Sequence, residues 1–93
     1  MSRQICGKIH LEGNFENTGF GFSCLQQATK LEIKGNFEYQ NKKEISILTI
    51  GTTEAINNFF QWCLQQNYSG KGELKFISNA YQQYKEFHII NHL

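Results

Sequence analysis

The sequence predicts a single α+β domain over residues 1–93: an antiparallel sheet carrying two helices on one face, with a short extra strand at the C-terminus. Three observations lead there. Apolar residues alternate at period two in several stretches, they recur at helical spacing in two others, and glycine or asparagine clusters, not prolines, divide them. At 93 residues the chain can bury one modest core and is too short for two.

Ile5, Gly7, Ile9 and Leu11 alternate with Cys6, Lys8, His10 and Glu12, which describes a first strand with one buried and one wetter face. Phe22, Leu25 and Ala28 then recur at helical spacing and predict a helix of about ten residues. Ile33, Gly35, Phe37 and Tyr39 alternate next, and the polar Asn41, Lys42 and Lys43 turn the chain into Ile45, Ile47 and Thr49, a hairpin. Gly51 closes it. Thr52 or Thr53 caps a second helix, with Glu54 near its positive end, and Ile56, Phe59, Phe60 and Cys63 fall at i, i+3, i+4 and i+7. Asn67, Ser69, Gly70 and Gly72 are read as breakers, with a fourth strand starting at Leu74, a polar loop SNAYQQYK, and a last strand over residues 87–90. The order β-α-β-β-α-β plus a final β is the split βαβ arrangement of ferredoxin-like domains, with right-handed crossovers placing both helices on one sheet face.

Formal net charge is +1, nine Lys plus Arg against eight Asp plus Glu spread along the chain, which argues against nucleic acid as a partner. The N-terminal MSRQICGK lacks the apolar stretch of a signal peptide, and no run approaches the roughly 18 apolar residues that span a bilayer, so a cytoplasmic protein without a membrane partner is expected. Cys6, Cys24 and Cys63 match neither zinc spacing nor a CxxC motif and are expected as reduced packing thiols. Cys24, in the first turn of the first helix, also has a reading as a nucleophile of depressed pKa. His10 falls on the wetter phase of its strand, and His88 and His92 lie about 13 Å apart at strand rise, too far to share an ion. Neither a metal nor a cofactor is expected. Tyr39, Tyr81 and Tyr84 are expected as an exposed aromatic patch near strand ends.

Residues 12–22, EGNFENTGFGF, join the first strand to the first helix, where a glycine-rich turn aims backbone N–H groups at an anion. Gly13, Asn14, Phe15, Glu16, Asn17, Thr18, Gly19, Phe20 and Gly21 stand in the order of a G-x-V-Q-G-V-G-F-R run. Residues 31–39 resemble an L-G-L-x-G-W-V-x-N stretch, and Gly51, Ala55, Ile56, Phe59, Trp62 and Cys63 a G-x-x-x-A-[IL]-x-x-F-x-x-W-[LC] run. Residues 84–89 resemble a closing Y-x-x-F-x-I. Together, in this order, these segments resemble the acylphosphatase family over nearly the whole chain.

The resemblance implies a phosphate loop at Glu16, Asn17, Thr18, Gly19, Phe20 and Gly21. It also implies hydrolysis of small acyl phosphates without metal, by an arginine that holds the phosphoryl group and an asparagine that positions water. Here Gly21 stands at the arginine position and Tyr39 at the asparagine position. A phosphoryl dianion needs charge-assisted donors and in-line attack needs an oriented nucleophile. Losing one electrostatic donor commonly costs about 10²- to 10³-fold in rate. Glu16 adds a carboxylate beside the anion position, and Asn17 takes a glycine position while tolerating left-handed backbone angles. The reading is therefore a binding or regulatory module without hydrolase activity. Its expected partners are phosphate or another small anion held weakly at the loop, or a protein along the polar sheet face or an open edge strand. The competing reading is an active acylphosphatase in which Lys8, Lys34, Arg3 or Asn41 compensates. A ferredoxin-like RNA binder ranks last, for want of the basic and aromatic RNA-binding pattern.

Overall fold

In a computed structural model, residues 4–66, 69–77 and 87–90 are described. The two periodicities produce the elements they predict. Strands β1 (Ile5–Gly13), β2 (Lys34–Tyr39) and β3 (Glu44–Gly51) form where apolar residues alternate, and helices α1 (Phe20–Lys30) and α2 (Thr53–Leu64) where they recur at helical spacing. Strands β4 (Ser69–Ile77) and β5 (Phe87–Ile90) complete a sheet ordered β4-β1-β3-β2-β5. Its first four strands are antiparallel neighbours, and β5 adds to β2 in parallel, Gly35 opposite Phe87 and Phe37 opposite Ile89.

The phase of each strand decides what it buries. Ile9 and Leu11 of β1, Phe37 of β2, and Ile45 and Ile47 of β3 pack under the helices with Phe20, Cys24 and Ala28 of α1 and Phe59 and Cys63 of α2. Lys8, His10 and Glu12 of β1 alternate onto the other face, where His10 Nε2 lies 3.4 Å from Glu44 Oε2. The buried Thr49 hydroxyl donates to the Gly7 carbonyl at 2.7 Å, so a polar group in the core has its partner. Gly35 has φ 133°, and a side chain there would run into the Leu48 carbonyl of the paired strand.

The fourth strand departs from the reading. Ser69, Gly70 and Gly72, read as helix breakers, belong to β4, which starts five residues before Leu74. The reason is packing. A Cβ at Gly72 would come within 2.6 Å of Leu64 Cδ2 and 2.9 Å of Leu11 Cδ2, so the missing side chain is what lets the end of α2 seat on β4. Gly70 lies beside the irregularity where β1 shifts register between Glu12 and Gly13. The SNAYQQYK loop, Tyr81, Tyr84 and His92 lie outside the described residues, as does the side chain of His88.

Candidate functional site

The loop between β1 and α1 is closed by its own atoms. Thr18 donates its hydroxyl to the Phe15 carbonyl at 2.6 Å and its N–H to the same oxygen at 3.3 Å, and its Oγ1 accepts the Phe20 N–H at 3.2 Å. Asn17 and Gly19 both take left-handed angles, φ 60° and 71°, and these two reversals turn the chain into α1. Gly19 is the cap residue of α1 and offers no side chain. Phe15 and Phe20 anchor the loop in the core, rings 4.8 Å apart, and Phe20 continues a stack onto Trp62 of α2.

Gly21 and Tyr39 meet. A Cβ built on Gly21 would lie 3.4 Å from Phe37 Cε1, 3.6 Å from Tyr39 Oη and 3.7 Å from Ile89 Cδ1. Tyr39 is half-buried, edge-on to Phe37 with ring centroids 5.0 Å apart. Burial raises its phenol above the ordinary range, while a hydrogen bond to the Gly21 backbone pulls the other way and the nearby Cys24 adds a small push upward. A bond that favours the phenolate is one in which the Gly21 N–H donates to the phenol oxygen. The Tyr39 side chain thus reaches from β2 to the first turn of α1, and its hydroxyl lies against an amide that a glycine-rich turn offers to an anion. Within the loop, the amides of Thr18, Phe20 and Gly21 have protein acceptors.

This loop–helix–strand arrangement, with the order of the sheet, can be compared with known proteins. An acylphosphatase family model matches residues 7–89. The chain belongs to the acylphosphatase family. Among solved structures, an acylphosphatase from Coxiella burnetii aligns at TM-score 0.84 and 16% identity over 94% of this chain and 93% of that one. One from Bacillus subtilis aligns at 0.83 and 17%, over 92% of this chain and 98% of that chain. Full-length HypF, in a phosphate- and nucleotide-bound form, aligns at 0.83 and 19%, over 97% of this chain but 12% of that chain. The acylphosphatase-like fold therefore also occurs as a module of larger proteins. No curated protein matches by sequence.

The structure sorts the other residues to which the sequence drew attention. Lys8 and Lys34 alternate with Ile9 and Gly35, so they lie on the sheet face away from the helices, whereas Tyr39 shares the phase of Phe37 on the helix side. Asn41 is not on β2, which ends at Tyr39. It belongs to the hairpin turn, where its Oδ1 accepts the Lys43 N–H at 2.8 Å. Arg3 lies outside the described residues. Glu16 and Asn17 are exposed at the loop surface. The reading of Cys24 as a first-turn nucleophile is overturned: it is the fifth residue of α1, fully buried, and its thiol is pushed up by desolvation and by the neighbouring Cys63. It packs the core, as do Cys6 and Cys63. Among the described residues no cluster of His, Cys, Asp or Glu is arranged to hold a metal, and no helix is long and apolar enough to cross a membrane. Sequence reasoning gave Tyr39 no role toward Gly21.

Proposed function

We propose that this acylphosphatase-like domain serves as a binding or regulatory module without hydrolase activity. The observation that carries this reading is the mutual fit of its two substituted positions. Where the family resemblance puts a guanidinium, Gly21 contributes no side chain, and the Tyr39 hydroxyl lies 3.6 Å from where one would begin. A phenol raised by burial is neutral at pH 7 and brings no positive charge to a phosphoryl dianion. Lys8 and Lys34, two of the candidate replacements, lie on the far sheet face and do not supply that charge. Anion binding at the loop is weak in this reading. Helix α1 has no acidic residue in its first turn, which favours an anion, but Glu16 beside the loop and the Tyr39 hydroxyl against the Gly21 amide oppose one. The setting we propose is cytoplasmic, with a small anion or a protein as partner. The fold's occurrence as a module within HypF is compatible with such a role.

The test is hydrolysis of acetyl or benzoyl phosphate without added metal, wild type beside a Gly21→Arg, Tyr39→Asn double variant. The expected result is no wild-type turnover above the uncatalysed rate. The helical backbone of Gly21 accepts a side chain at ordinary contact distances, so the double variant folds and gains activity. Wild-type turnover at an ordinary enzymatic rate overturns the proposal in favour of an active acylphosphatase. Phosphate titration followed at the amides of residues 17–21 tests the anion site: shifts saturating only in the millimolar range are expected, and none at all removes it.

A further inference from the structure

Among the described residues, strand β4 is one edge of the sheet with no partner strand on its outer side, and Lys71, Glu73, Lys75 and Phe76 are all exposed. An edge this long invites pairing unless its charges repel a copy of itself. These charges do the opposite, alternating in sign as Lys71, Glu73 and Lys75 on the face away from the helices. We infer that β4 pairs antiparallel with β4 of a second copy about a two-fold axis, joining two five-stranded sheets into one.

Symmetry restricts the register. A two-fold axis normal to the sheet keeps both helix layers on one side, so each residue opposes one of its own phase and the axis runs midway between one residue and its own copy. Centred on Leu74, the pairing sets Glu73 against the partner's Lys75 and Lys75 against the partner's Glu73, Leu74 against Leu74, and Phe76 against Gly72. Centred on Glu73 it opposes Glu73 to Glu73 and Lys71 to Lys75, and centred on Lys75 it opposes two lysines. Centred on Gly72 it pairs Lys71 with Glu73 but sets glycine against glycine on the helix side. Only the Leu74 register satisfies both faces.

On the helix side, the Leu74 register brings each Phe76, 47% exposed, over a Gly72 bordered by Leu64 and Phe60 of α2. Leu64 is itself 37% exposed, so two of the large exposed apolar side chains among the described residues cover one another across the axis. On the other face Lys75 stands opposite Lys8 of its own β1, two like charges side by side. The partner's Glu73 places a carboxylate on the other side of Lys75, across from Lys8. This inference does not depend on the reading of the loop.

Sedimentation of the full chain over a concentration series tests it. The expected result is a mass of two chains that dissociates on dilution and with added salt. Glu73→Lys and Lys75→Glu each place like charges opposite one another twice, and each is expected to weaken association by about tenfold or more. The double variant restores complementary pairs and is expected to return to within about threefold of wild type, which a merely structural role for these exposed residues would not produce. Phe76→Ser weakens association while the far-UV spectrum stays unchanged. A chain that remains monomeric at the highest concentration overturns the inference. So does a dimer indifferent to the single substitutions, a double variant that fails to recover, or an edge that takes up an unrelated extended peptide while the chain alone stays monomeric.

Discussion

The two helices of this domain begin in opposite ways. Helix α2 is completed by its own local sequence: Thr52 accepts the Ala55 N–H at 3.1 Å, and Glu54 lies in the first turn. Helix α1 begins at a left-handed Gly19 with no side-chain cap and no acid in its first turn. Its amides are met instead by Thr18 from the loop and by Tyr39 from β2. The first N-terminus is finished within four residues of chain. The second depends on a strand that the chain reaches only after passing through the helix. A local cap is indifferent to ligand, whereas a cap contributed by a distant side chain can be exchanged for one.

Removing Phe20 should break this contrast most severely, because its fully buried ring joins Phe15, Phe37 and Trp62 and so fixes the start of α1. Phe20→Ala is expected to cost about 3–5 kcal/mol in denaturant unfolding. A loss below about 1 kcal/mol would show that the loop is held by something other than this stack.

The two threonines come next. Thr18→Val removes both a donor to Phe15 and the acceptor for the Phe20 N–H, an expected loss of about 1–2 kcal/mol. Thr52→Ala, which removes one capping bond, is expected to cost about 1 kcal/mol. Amide exchange should separate them: Thr18→Val speeds exchange at the start of α1 alone, and Thr52→Ala does so at the start of α2. Equal effects at both helices would erase the distinction.

The smallest effect concerns pH. Folding raises the Tyr39 phenol above its ordinary value near 10, so the folded state holds that proton more tightly than the unfolded chain. The contribution is complete below pH 10 and is lost as pH rises through the folded value. Tyr39→Phe is therefore expected to flatten part of the alkaline decline in stability, followed by thermal melts between pH 9 and 11.5. An unchanged alkaline limb would indicate that the hydroxyl is solvated as in a free tyrosine.

Much of this architecture was legible in the chain. Ile56, Phe59 and Cys63 are buried on α2 as their spacing requires, and Phe37, Ile45 and Ile47 as their alternation requires. The start of β4 was not legible. Gly70 and Gly72 read as breakers, because a lone sequence cannot distinguish a glycine that ends an element from one that makes room for Leu64. Cys24 is the packing thiol its composition suggests, and only its alternative reading as a nucleophile fails, because a helix start displaced by a few residues moves it from an exposed first turn into the core.

By itself the sequence determined the order of elements and the face each apolar residue turns inward. Those properties follow from backbone periods of two and 3.6 residues, which act over a few residues and need no knowledge of the rest of the chain. Only the tertiary structure decided that Tyr39 lies against Gly21, that Lys8 and Lys34 stand on the sheet face away from it, and that β4 is an edge among the described strands. These depend on how α1 seats on β2 and in what order the strands align, and such contacts arise from packing between elements that no local pattern encodes.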